Sequence, residues 1–108
     1  MIDLVKKHCI PCEAGTPPFT DSQAQEYLKQ IPGWELTDDA EKIKKRFKFK
    51  DFAEALAFVN KIGELAESED HHPDIKFGWG YVKVLLTTHA IKGLSENDFI
   101  LAAKINKL

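Results

Sequence analysis

The sequence predicts an α+β domain: an antiparallel four-stranded sheet with helices packed on one face, in the order α-β-β-α-β-β-α. Three observations lead there. Apolar residues recur at spacings of three and four through a long central segment, and on either side of it they alternate with polar ones. The links between successive strands are too short for a parallel crossover, so the pairs are antiparallel. A chain of 108 residues is also the right size for one hydrophobic core.

Residues 1–19 read as an arm, because Pro11, Gly15, Thr16, Pro17 and Pro18 disfavour regular structure. Residues 20–108 read as a single domain. The first helix has a capping box in Thr20 and Gln23, with Phe19 and Ala24 placed as a staple, and it stops before Pro32-Gly33. Trp34 to Leu36 forms a short strand, and Asp38-Asp39 marks a turn. Lys42 to Lys50 is a second strand with Ile43, Lys45, Phe47 and Phe49 on one face. Its other face carries Lys42, Lys44, Arg46, Lys48 and Lys50, a pattern suited to a solvated face or to an edge strand protected by lysines.

The central helix opens at Asp51, with Glu54 in its first turn. Its expected buried stripe is Phe52, Ala55, Leu56, Val59, Ile62 and Ala66. It must end near His71, since Pro73 drives His72 out of the helical region. Ile75, Phe77 and Trp79 then alternate in a third strand, and Gly78 and Gly80 bracket a tight connection. Tyr81 to His89 reads as a strong fourth strand with Val82, Val84 and Leu86 on one face. The last helix begins at Ser95, with Asp98 as capping partner, Leu94 and Phe99 as staple, and Ile100, Ala103 and Ile105 as further apolar positions.

A net charge of -2 gives no general reason to expect nucleic acid or a membrane surface as partner. No stretch approaches the roughly 20 apolar residues of a membrane span. The opening segment, broken by Lys6, Lys7 and His8, does not read as a signal peptide, so the expected compartment is cytoplasmic. Cys9 and Cys12 form a CxxC pair. A zinc site would need two more ligands and a redox motif would need a preceding strand, so a reduced pair in a mobile arm is the plainer reading.

Chemistry concentrates between His71 and His89, which holds three of the four histidines. His71 and His72 close the central helix, and His89 lies at the end of the last strand, where side chains are free to build a site. Imidazoles with pKa values near neutrality suit acid–base work, and two of them can hold opposite protonation states. Glu67, four residues before His71, is placed to orient that ring. Against this stand a surface His-His pair favoured by the helix dipole and a zinc or iron site with Glu67 or Asp98 as fourth ligand. Neither HxH nor HExxH spacing supports the metal. Trp34 and Trp79 could stack on a planar ligand, although aromatics in short strands usually belong to the core.

The run Glu67-x-x-Asp70-His71-His72-Pro73, then Trp79, Thr87-Thr88-His89 and Gly93-Leu94-Ser95-Glu96-x-Asp98, resembles the pterin-4a-carbinolamine dehydratases. Pro32-Gly33-Trp34 and Phe47-x-Phe49-Lys50-Asp51-Phe52 are similar to that family too, and the resemblance spans about residues 19–108. It implies a metal-free, cofactor-free enzyme that dehydrates 4a-hydroxytetrahydropterin to quinonoid dihydropterin, in the recycling of tetrahydrobiopterin or a related pterin. It further implies His71 and His89 as the acid–base pair and His72 as a holder of the pterin. Asp70, His71, His72, Thr87, Thr88 and His89 would line the pocket, with Glu67, Pro73, Trp79 and Asp98 in support. A homodimer or homotetramer and a functional link to an aromatic amino acid hydroxylase belong to the same implication. The alternative is a coactivator or assembly scaffold on the same fold.

Overall fold

The computed structural model describes residues 3–11 and 14–108. Its helices are α1 (Asp21–Leu28), α2 (Phe52–Glu69) and α3 (Glu96–Ile105), and its strands β1 (Glu35–Leu36), β2 (Ile43–Lys48), β3 (Asp74–Gly78) and β4 (Tyr81–Leu86). Single 3₁₀ turns lie at Leu4–Lys6 and His89–Ile91. The strands make one antiparallel sheet ordered β1-β2-β4-β3, so class and element order are those the sequence predicts.

The capping box of α1 is present: the Thr20 hydroxyl accepts from the Gln23 N–H at 3.2 Å, and the Gln23 side chain accepts from the Thr20 N–H at 2.9 Å. At α2 the Asp51 carboxylate accepts from the Glu54 N–H at 2.9 Å. Trp34 is buried and its indole N–H donates to Asn106 at 3.0 Å.

β2 lies inside the sheet and not at its edge. β1 pairs with it only at Ile43 and Lys44, while β4 pairs along its whole length. Its cations therefore form a face and do not guard an edge. Arg46, Lys83 and Lys76 stand in register across three strands on the side away from the core. Lys45, on the inner side, is different: its ammonium donates to Asn106 at 2.8 Å and to the Pro32 carbonyl at 3.1 Å, above the Phe47 ring.

Val82, Val84 and Leu86 of β4 are fully buried. The buried face of α2 is Ala55, Phe58, Ile62, Ala66 and Glu69, rotated from the expected stripe. Phe58 takes the inward position because its ring packs on Phe47 and Phe49 at 4.8 and 5.0 Å. Phe52 and Leu56 are exposed, with Phe52 resting on Phe77 of β3.

Helix α3 is buried nearly all round, at Asn97 to Ala103 and Ile105. A helix apolar on every side belongs in the middle of a structure, and α3 shares one hydrophobic cluster with β4, α1 and Leu4 of the arm. The arm is thus docked: Leu4 is 3% exposed, and Gly93 leaves no room for a Cβ against Pro18.

Two expectations about the last strands are corrected. Trp79 belongs neither to a strand nor to the core. It sits in the β3–β4 turn, 73% exposed, where Gly80 supplies the positive φ of 82°. β4 ends at Leu86, because the Thr87 hydroxyl turns to the Glu41 carbonyl and Thr88 bridges to Gly93.

Replacing the fully buried Phe99 by alanine should cost about 3–5 kcal/mol, whereas Trp79→Ala should stay within about 0.5 kcal/mol. Urea denaturation reads both, and comparable losses would contradict this placement of the core.

Candidate active site

The site is built where three chain segments end. Helix α2 closes in a Schellman motif: the Asp70 N–H donates to Glu67 and the His71 N–H to Ala66 at 3.2 Å. Asp70 takes the left-handed conformation this requires, at φ 50° and ψ 40°, which aspartate tolerates better than most residues. The helical spacing between Glu67 and His71 is therefore broken. Glu67 pairs with the exposed His72 instead of orienting His71.

His71 is oriented by Asp98. Its Nε2 lies 2.7 Å from Asp98 Oδ1, with the imidazole 11% exposed and the carboxylate fully buried. Asp98 Oδ2 accepts from the Thr88 hydroxyl at 2.7 Å and from the Ser95 N–H at 3.0 Å. The Ser95 hydroxyl in turn lies 2.8 Å from that of Thr88. With Asp98 ionised, both its oxygens accept, so Nε2 of His71 carries the proton. The capping residue expected at the start of α3 thus also fixes an imidazole.

His89 follows Thr88 into the second 3₁₀ turn, and its ring is exposed at the cavity mouth. The cavity, about 280 Å³, is lined by Asp70, His71, His72, Thr87, Thr88 and His89, all six of the expected pocket residues. Glu67, Pro73 and Trp79 do not line it, and Trp79 lies at the opposite end of β3. Asp98 stands behind His71. Among the described residues no three His, Cys, Asp or Glu side chains are placed to hold a metal ion.

Cys9, Ile10, Pro11, Glu69, Ala90 and Asn97 also line the cavity and were not expected. Glu69 had a sequence signal, an acid three residues after Ala66 on the buried face of α2. Burial pushes its carboxyl up, but hydrogen bonds from Lys104, the Cys9 N–H and His8 outweigh that and bring it to about 2. Cys9 behaves oppositely: burial, then the Glu69 charge, push its thiol up to about 12. The thiolate that a redox or zinc role would need is disfavoured, and Cys12 lies outside the described residues.

A family model described as pterin 4 alpha carbinolamine dehydratase matches residues 17–108. The chain belongs to this family. Proteins of Methylococcus capsulatus and Halorhodospira halophila, both named provisionally as pterin-4-alpha-carbinolamine dehydratases, are 53% and 52% identical to it. The matches cover 97% and 99% of this chain and 92% and 98% of theirs. Among solved structures, a transcriptional coactivator/pterin dehydratase from Brucella melitensis superposes with a TM-score of 0.79 at 38% identity. That match covers 83% of this chain and 96% of the other. A pterin dehydratase-like protein described as a RuBisCO assembly factor in the alpha-carboxysome has a TM-score of 0.62 at 28% identity, over 72% and 90% of the chains.

For this member of the dehydratase family, long-range ¹⁵N NMR should show His71 as the Nε2–H tautomer, and Asp98→Asn should abolish that preference. An unchanged tautomer would mean that Asp98 does not orient the ring. A carboxyl lowered from an unfolded value near 4.3 stabilises the fold fully above that value and loses its contribution as pH falls toward about 2. The chemical shift of the Cys9 amide proton, which donates to Glu69, should therefore report a midpoint near 2, and a midpoint near 4.3 would show Glu69 unpaired.

Proposed function

We propose that the cavity dehydrates 4a-hydroxytetrahydropterin to quinonoid dihydropterin and water, with no cofactor taking part. The observation that carries this reading is the convergence of His71, His72 and His89 on one cavity, with His71 backed by a buried carboxylate. The reaction needs little else. In a carbinolamine the adjacent ring nitrogen expels the 4a-hydroxyl once that oxygen is protonated.

His71 is the base. With its Nε2–H held by Asp98, Nδ1 is the nitrogen left to take the proton from the ring N–H, and the carboxylate stabilises the imidazolium that forms. His89, exposed at the mouth, is the acid that protonates the departing hydroxyl. The C4a–O bond breaks, a C=N bond forms and water leaves; His71 then releases its proton to solvent and His89 takes one up. His72, tied to Glu67, holds the pterin at the rim. Such a substrate is what an aromatic amino acid hydroxylase leaves behind, which sets this activity in pterin recycling.

Generating the carbinolamine with a hydroxylase and following its ultraviolet decay tests this. Accelerated decay is expected, with His71→Ala and His89→Ala each slowing it by about 10²–10⁴-fold. His89→Ala should leave the urea midpoint nearly unchanged, whereas His71→Ala should also lower it by removing a partner of the buried Asp98. Decay at the spontaneous rate would favour the second reading, a scaffold. The coactivator and assembly-factor descriptions of the two structural neighbours support that alternative.

A further inference from the structure

Cys9, Ile10 and Pro11 of the arm precede the stretch the family model matches, yet they form one side of the cavity. The arm is held by specific grips. Lys7 pairs with Glu96 at 2.7 Å, and the Cys9 N–H donates to Glu69 at 2.8 Å. The side chain of Asn97 clasps the backbone of Ile10 from both directions, accepting its N–H at 3.0 Å and donating to its carbonyl. The Cys9 thiol adds a contact to the Asn97 carbonyl at 3.6 Å.

Asn97 is 5% exposed and Glu69 8%. Buried polar groups need partners, and the arm supplies several of them. The arm is therefore seated before any ligand arrives. Its grip falls on the backbone of Ile10 and leaves that side chain 70% exposed beside the histidines. An apolar side chain held in this way offers a surface to the face of a planar ring, and the polar groups opposite it take the ring's edge.

We propose that the arm is a fixed wall of the substrate pocket, with Ile10 as the apolar contact for the heterocycle and Asn97 as the positioning residue that sets it. This rests on the reading that the cavity takes a pterin.

The test uses the full chain carrying Cys12→Ser, which leaves Cys9 as the one thiol of the two in the sequence. Asn97→Ala should raise the rate of Cys9 alkylation by iodoacetamide more than about tenfold, since the released thiol returns toward its ordinary reactivity. Ile10→Ala changes an exposed side chain and should leave folding and alkylation as they were. It should raise KM for the carbinolamine by about fivefold with kcat nearly constant, the signature of lost uniform binding. An unchanged KM in Ile10→Ala, or unchanged alkylation in Asn97→Ala, overturns the proposal. The wall can also be read without turnover: millimolar 7,8-dihydrobiopterin should protect Cys9 from iodoacetamide in the Cys12→Ser protein. Protection without dehydration would keep the wall and sink the dehydratase reading, whereas absence of protection overturns the wall whatever the decay assay gives.

Discussion

Asp98 is a carboxylate with no access to water, and the fold around the site is arranged to satisfy it. A buried charge is costly unless every lone pair is met. Here the partners come from three segments: the imidazole just past α2, the hydroxyl just past β4, and the first amide of α3's own cap. Moving any of them leaves an uncompensated acceptor, so the ends of α2 and β4 are locked to the start of α3. The cavity forms where these ends are held together, with the exposed His72 and His89 beside the buried Thr87 and Thr88.

The same constraint explains why the site lies so close to the core. α3 is buried almost throughout, and its N-terminal turn holds Asn97 and Asp98 side by side, one toward the arm and the other toward His71. Electrostatics divide the pocket. Glu69 and Asp98 supply negative charge from within, and each has donors that keep it in place. Membership of a dehydratase family agrees with such a site. The open, cationic sheet face, with Arg46, Lys83 and Lys76 abreast, lies away from the core side of the sheet.

Much of this was legible in the sequence, because the strong signals are local. Period-two and helical patterns, the Thr20 capping box and the Pro73 stop each depend on a few neighbouring residues, and all appear in the structure. So do the six pocket residues, which cluster at element ends. The failures are tertiary. The stripe of α2 depends on which aromatic of β2 it meets, and helical periodicity alone could not choose Phe58 over Leu56. The partner of His71 could not be found by counting back four residues, because the Asp70 turn breaks the helix between Glu67 and the histidine. Trp79 was misplaced because its flanking glycines tighten the hairpin and carry the ring into solvent. The arm reads as unstructured because its docking relies on Leu4, Glu69 and Asn97, and the latter two are about 60 and 90 positions away (hydrogen bonds at separations of 60 and 87).

A cavity walled on most sides by elements of the core, and on one side by the arm, distributes the freedom to change unevenly. Substitutions around Asp98 disturb folding and the placement of His71 together, which constrains that region. The residues at Ile10 and Pro11 contribute side chains to the cavity but almost nothing to the core. They can be exchanged without repacking anything. Within one scaffold, diversification of what the pocket accepts has its least constrained route through Ile10 and Pro11, and engineering of ligand preference would start there.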